Sequence, residues 1–71
     1  MTTRIEAHIA GTVWKIEVKV GDTVSQGQVV VILESMKMEM PVESPSSGLV
    51  TSVLVAEGQS VQEGQPVVEL G

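Results

Sequence analysis

Apolar and charged residues alternate through the first long segment of the chain, which is the pattern of a strand with one buried face. The apolar positions are Trp14, Ile16, Val18 and Val20. The charged positions between them are Lys15, Glu17 and Lys19. We therefore expect the first set to pack in the core and the second set to face solvent.

Eight short strands are predicted when the whole chain is read in this way. Fourteen valines and four isoleucines, against a single aromatic residue, favour strands over helices. Residues 29–33 are apolar without alternation, over a length typical of a buried strand. The predicted strands cover residues 5–9, 12–19, 24–26, 29–35, 38–43, 48–55, 61–63 and 66–70. Their close spacing predicts an all-β fold, a flattened barrel or sandwich of two four-stranded antiparallel sheets.

The sequence also matches itself at an offset of 37 residues. Residues 11–34 align with residues 48–71, so the chain contains two copies of one unit. Two copies are too few for an open repeat array, which indicates one closed domain, residues 1–71, with pseudo-twofold symmetry. Both copies contain loop glycines, and we expect at least some of them to have positive φ: Gly21, Gly27, Gly58 and Gly64.

Composition and charge narrow the possible functions. The 71 residues carry a net charge of -5 at pH 7 and include no cysteine, which leaves no disulfide or thiol nucleophile. The negative charge repels a phosphate backbone, so we expect no nucleic-acid partner. No apolar run approaches the roughly 20 residues that cross a bilayer, and no secretory leader is recognisable. These features predict a cytoplasmic protein that does not insert into membranes.

The segment between the two copies contains the most unusual string in the sequence, residues 34–41. Its good helix formers allow a short helix with Leu33, Met36, Lys37 and Met40 on one face. However, Pro41 would limit that helix to two turns, and the residues from 38 to 43 alternate as in a strand. A tight hairpin centred on Met36 and Lys37 is the better prediction, although the turn lacks the glycine or asparagine that such turns favour.

This string, Glu34-Ser35-Met36-Lys37-Met38-Glu39, resembles the attachment signature of the biotinyl/lipoyl domain family. The resemblance extends over nearly the whole chain and implies a barrel-sandwich hybrid fold. It also implies that Lys37 carries the cofactor, with Met36 and Met38 as flanking recognition residues. Lipoyl acceptors of this family usually have Asp before the lysine and Ala after it. The two methionines therefore indicate covalent biotin, in a carrier without the protruding thumb of some relatives.

The resemblance further implies a biotin carboxyl carrier domain that is not itself an enzyme. A biotin protein ligase would modify Lys37, and the arm would carry carboxylate from a biotin carboxylase to a carboxyltransferase. These are the active sites of an acyl-CoA or keto-acid carboxylase. Two alternatives stay open at this point: a lipoyl carrier of an acyl-transfer complex, and an unmodified structural barrel.

Other residues offer weaker candidates for chemistry. Lys15 and Lys19 are competing amines, but both are predicted to lie within a strand. His8 is the only histidine and has no Ser or Asp at a catalytic spacing, so we interpret it as an ordinary strand residue. Trp14 is expected to pack in or beside the core. No metal-binding or phosphate-binding motif is present.

Overall fold

Branched apolar residues and glycine turns fold the chain into eight strands. The structure, a computed structural model, describes residues 2–71. The strands are β1 (Thr3–Glu6), β2 (Gly11–Ile16), β3 (Thr23–Val24), β4 (Val29–Ser35), β5 (Met38–Glu43), β6 (Gly48–Val53), β7 (Ser60–Val61) and β8 (Pro66–Leu70). They form two four-stranded antiparallel sheets with the orders β1-β8-β6-β3 and β5-β4-β2-β7. The predicted fold class is confirmed, and the described residues contain no helix.

Every strand pairing in one sheet recurs in the other at the offset of 37 residues. In the first sheet Ile5 lies opposite Val68, and in the second Val42 lies opposite Val31. The bulges recur at matching positions as well. The pseudo-twofold operation therefore exchanges the two sheets, and each half of the chain supplies two strands to each sheet. We call residues 37 positions apart symmetry mates.

The core lies between the two sheets and consists almost entirely of aliphatic side chains. Both halves contribute fully buried residues: Val30, Val31, Leu33, Val67 and Val68 are all 0% exposed. Val13 and its mate Val50 are 1% exposed. The long, non-alternating strand that was predicted to be buried is therefore β4, at the centre of the core.

The prediction that Trp14 belongs to the buried face is wrong. The ladder between β2 and β4 slips between Val13 and Lys15, so that Trp14 lies at a β-bulge. A bulge inserts one extra residue and shifts the alternation of the strand. Val13 therefore faces the core and Trp14 is 47% exposed, whereas Ile16 and Val18 return to the inside.

Several strand ends also differ from their predicted bounds. Strands 29–35, 38–43 and 66–70 are confirmed, but the strand predicted at 12–19 spans Gly11–Ile16 and the one at 48–55 spans Gly48–Val53. The strands predicted at 5–9, 24–26 and 61–63 likewise span Thr3–Glu6, Thr23–Val24 and Ser60–Val61.

The interpretations of Val20 and His8 are wrong because the strands end earlier than predicted. The chain leaves the ladder before Val20, which lies in a turn and is 62% exposed rather than buried. His8 lies beyond the end of β1 and is exposed, so it is not a strand residue.

All four loop glycines have positive φ, as predicted. At Gly21 (φ 98°) and its mate Gly58 (φ 89°), a Cβ would meet no atom within 4 Å. Alanine at either position is therefore strained only through its backbone, and we expect each substitution to lower the free energy of unfolding by about 1 kcal/mol. Denaturant unfolding of the two variants measures this loss. Unchanged midpoints in both would contradict the backbone argument.

Candidate functional site

A two-residue turn joins β4 to β5. Ser35 pairs with Met38, which leaves Met36 and Lys37 as the loop, and the predicted hairpin is confirmed. Met36 has a φ of 53° and Lys37 a φ of 63°, the positive pair that characterises a type I′ turn. Residues with a Cβ adopt this left-handed region at a cost of about 1–2 kcal/mol each. The turn is therefore held in a conformation that its own side chains disfavour.

The hairpin is supported from both sides of β4. This strand is bordered by β5 and by β2 in the sheet, and its residues nearest the turn pair with both neighbours. Glu34 lies opposite Glu39 on β5 and opposite Thr12 on β2. The strained turn thus extends from a strand whose backbone is fixed by two ladders.

Lys37 lies at the tip of this hairpin and is exposed. Within residues 2–71, its ε-ammonium makes no hydrogen bond or ion pair. Lys15 is also exposed but lies within β2, opposite Ile32. Lys19 is not mid-strand as predicted. It lies beyond β2, and its backbone N–H donates to the Asp22 carboxylate at 3.0 Å.

The methionines around Lys37 have different environments. Met36 is 90% exposed and Met38 is 62% exposed, whereas Met40 is half-buried and packs against the core. The first two are therefore available to a partner that approaches Lys37. Their role in recognition stays a prediction.

Like charges flank the turn. Glu34 and Glu39 are directly opposite each other on β4 and β5, and both are exposed. Directly opposed like charges destabilise a strand pair. The surface beside the turn is thus negatively charged, and cationic groups of a partner would neutralise it.

Close packing at Gly11 fixes β2 against the end of β4. A Cβ at Gly11 would lie 2.7 Å from the Glu34 carbonyl oxygen and 3.4 Å from Ser35 Cβ. The φ of Gly11 lies outside the left-handed region, so the need for glycine here is steric. At its mate Gly48, the equivalent Cβ would meet Leu70 Cβ at 3.3 Å and the Gly71 carbonyl oxygen only at 3.7 Å. The contact at Gly11 is therefore closer than the matching contact at Gly48.

We expect Gly11→Ala to lower the free energy of unfolding by about 1–3 kcal/mol, as overpacking does. The backbone of Glu34 and Ser35 must move, so the amide chemical shifts of residues 34–39 should change. Gly48→Ala is the matched control. The alanine Cβ at this position is less crowded, and its cost is offset because alanine lowers the conformational entropy of the unfolded chain. Gly48→Ala should therefore change the free energy of unfolding by less than about 1 kcal/mol. Equal losses in the two variants would contradict the difference in packing.

The described residues offer no metal site, pocket or membrane-spanning helix beside the hairpin. Residues 2–71 contain no group of three His, Asp or Glu side chains placed to hold a metal ion, and they enclose no pocket. No helix in this part of the chain is long and apolar enough to cross a membrane. The hairpin is thus the candidate site that these residues present.

A comparison with known protein families decides the relationship. The family model described as "Biotin-requiring enzyme" matches residues 1–70. The chain belongs to this family. A "Biotin/lipoyl attachment protein" of Bacillus subtilis is 49% identical over 70 residues, which are 99% of this chain and 93% of the relative. A "Biotinylated protein TB7.3 homolog" of Mycobacterium leprae is 41% identical and covers 90% of both chains.

Solved structures of much larger proteins contain the same fold. The urea carboxylase of Kluyveromyces lactis matches the whole of this chain with a TM-score of 0.94 and 34% identity. The chain corresponds to only 6% of that protein. A single-chain, multi-domain long-chain acyl-CoA carboxylase matches 96% of the chain, with a TM-score of 0.89 and 32% identity. The resemblance inferred from residues 34–39 is confirmed at the level of the family.

Sequence reasoning missed two features near the hairpin, the outward position of Trp14 and the contact of Gly11 with Glu34. The symmetry mate of Trp14 indicated its outward position. Thr51, the mate of Trp14, is polar and exposed. The second depends on an interatomic distance and had no such signal.

Proposed function

We propose that this chain is a biotin carboxyl carrier domain and that Lys37 is the residue that carries biotin. The observation that carries this proposal is the turn itself. It holds an exposed lysine, whose ε-ammonium has no hydrogen-bond or ion-pair partner within residues 2–71, at the tip of a hairpin in a strained conformation. Backbone strain of this kind persists where the surrounding structure enforces it, and it is concentrated at functional sites.

The residues at the tip fit a covalently attached group. Attachment requires an accessible primary amine with enough space around it for an enzyme, and Lys37 satisfies both conditions. Lysine amines are almost entirely protonated at neutral pH, so a ligase must generate the neutral form. The neutral Nζ of Lys37 then attacks a biotin carboxyl activated as an acyl-adenylate. An amide bond forms, AMP leaves with the bonding electrons, and the nitrogen releases a proton.

Once attached, biotin supplies a ureido nitrogen that accepts and releases carboxylate. The chain contributes position and reach. The rigid hairpin keeps the arm clear of the barrel, and tethering raises its effective concentration at each active site. We propose that the chain itself is not an enzyme and that the catalytic groups come from a biotin carboxylase and a carboxyltransferase.

The relatives support these partners. Proteins that match this chain include pyruvate carboxylases, a putative urea carboxylase and an acyl-CoA carboxylase subunit, each with the matched segment as a small part. We propose an acyl-CoA or keto-acid carboxylase as the assembly that this carrier serves. We also propose that the protein is cytoplasmic.

Intact-mass measurement of the protein isolated from its own cells tests the proposal. We expect a single added mass equal to one biotinyl group, with peptide mapping that assigns it to Lys37. A lipoyl group is the second candidate, because the Bacillus relative is named for both cofactors. Finding a lipoyl mass, or a chain that stays unmodified in cells rich in biotin, would overturn the proposal.

A further inference from the structure

The two sheets have the same strand pairings, but at one set of symmetry mates their outward side chains differ in polarity. In the β1-β8-β6-β3 sheet this face is polar. Arg4 Nε donates to the Glu69 carboxylate at 3.1 Å, and the Thr51 hydroxyl donates to the Glu69 carbonyl at 3.3 Å. Arg4 pairs with Glu69 across the strands, and Thr51 lies at the bulge of β6 opposite the same residue.

The symmetry mates in the hairpin sheet are all apolar. Pro41 replaces Arg4, Ile32 replaces Glu69 and Trp14 replaces Thr51. Pro41 pairs with Ile32, and the bulge that contains Trp14 lies opposite Ile32. Trp14 is 47% exposed, Pro41 is exposed and Ile32 is half-buried. We call these three residues the apolar strip. An ion pair and a hydrogen bond on one sheet are thus replaced by exposed apolar surface on the other.

The apolar strip lies close to Lys37. Three residues of β4 separate Ile32 from the turn, which at 3.4 Å per residue places the strip within about 15 Å of the tip. A specific interface covers about 800 Å² on each partner, a patch about 16 Å in radius. The molecule measures only 19 × 18 Å across its short axes. An interface of that size centred on the tip is therefore wide enough to include this face.

Charge defines the partner further. Glu34 and Glu39 lie between the apolar strip and the tip, and Lys15 shares the bulge with Trp14. A complementary surface is apolar at its centre and carries basic groups opposite the two glutamates. The unmodified lysine is short, so the enzyme that acylates it must approach more closely than any site reached later by the longer biotinyl arm.

From this arrangement we propose that Trp14, Ile32 and Pro41 form the docking surface for the biotin protein ligase that modifies Lys37. The inference rests on the proposed function of Lys37 and adds the surface by which the ligase recognises the carrier. The strip stabilises the encounter complex and takes no part in acyl transfer. Its removal therefore raises KM and leaves kcat unchanged.

The symmetry of the fold supplies the variants. The double variant Ile32→Glu with Pro41→Arg places the ion pair of the other sheet on the hairpin sheet. Ile32 and Pro41 are directly paired, as their mates Glu69 and Arg4 are. Trp14→Thr places the mate's residue at the bulge. Leu49→Thr is the control, because Leu49 is also 47% exposed and its mate, Thr12, is already threonine. Each chain is incubated with purified biotin protein ligase, ATP and biotin, and its melting temperature is recorded.

We expect the double variant and Trp14→Thr each to raise KM at least tenfold, with kcat within twofold of the parent chain and a preserved melting temperature. Leu49→Thr should change neither constant. Unchanged KM in both strip variants, an equal effect of Leu49→Thr, or a loss confined to kcat would overturn the docking surface. A parent chain that the ligase does not modify at all would instead overturn the proposed function, which separates the two failures.

Discussion

Lys37→Arg is expected to abolish biotinylation and to leave the melting temperature unchanged. Arginine retains the positive charge and most of the aliphatic stem, but its guanidinium stays protonated in proteins and cannot act as the nucleophile. The position is exposed at a hairpin tip, and a surface substitution of this kind changes the free energy of unfolding by at most about 0.5 kcal/mol. Intact mass after incubation with ligase, ATP and biotin gives the chemical result, and thermal unfolding gives the structural one.

Lys15→Arg and Lys19→Arg are the matched controls, because they make the same substitution at exposed lysines away from the tip. Both variants should be labelled to the same extent as the parent chain. Lys15 lies within a ladder and Lys19 within a turn fixed by Asp22, so neither backbone can enter an enzyme pocket without losing hydrogen bonds. A biotinyl mass on the Lys37→Arg chain would show that another amine is the acceptor.

Leu33→Ala should lower the free energy of unfolding by about 3 kcal/mol, within the 2–5 kcal/mol typical of buried leucines. Leu33 is 0% exposed and lies opposite Val13 on one side and Met40 on the other. A chain this short has few alternative side chains to fill the cavity, so relaxation recovers little of the lost packing. The midpoint of denaturant unfolding, compared at constant slope, measures the loss.

Leu54→Ala is the control for this substitution. Leu54 is 45% exposed on the outside of the barrel, and its mate is Glu17. The same change there should alter the free energy of unfolding by less than about 1 kcal/mol, in line with other surface positions. Similar losses in the two leucine variants would mean that the core does not depend on β4 as described.

The hairpin could be predicted from sequence because several local signals agree. Residues 29–33 are apolar over the length of one buried strand, the residues from 38 to 43 alternate, and Pro41 disfavours a helix. The pairing of Ser35 with Met38 then leaves only Met36 and Lys37 for the turn. The identity of the attachment lysine came from the resemblance to a family and not from this pattern.

The errors at Trp14 and Val20 have one physical origin, since alternation assumes a regular ladder. A bulge at Trp14 and a turn at Val20 interrupt the ladder; no neighbouring residue marks the bulge, and only Gly21 marks the turn. Their mates do mark them. Thr51 and Glu57 are polar and exposed, whereas the mates of Ile16 and Val18 are valines. Comparing the two copies position by position would have corrected both assignments.

The close contact between Gly11 and Glu34 could not be predicted in this way. Gly11 and its mate Gly48 are the same residue in the same register, yet the distances from their ideal Cβ positions to the equivalent carbonyl oxygens are 2.7 Å and 3.7 Å. Such a difference appears only when the backbones are placed in three dimensions.

The two ladders along β4 have a mechanical consequence. Whenever an enzyme draws the side chain of Lys37 into a cleft, the tension runs down the hairpin along the axes of β4 and β5. A pull at the turn draws β4 and β5 in the same direction, so it loads in shear the ladder between β4 and β2, whose hydrogen bonds are perpendicular to the strands. Four residue pairs join β4 to β2 and share this load, while six pairs hold β4 and β5 together. Lys37 is thus held by the whole sheet. A pull on the hairpin tip does not separate the strands one hydrogen bond at a time.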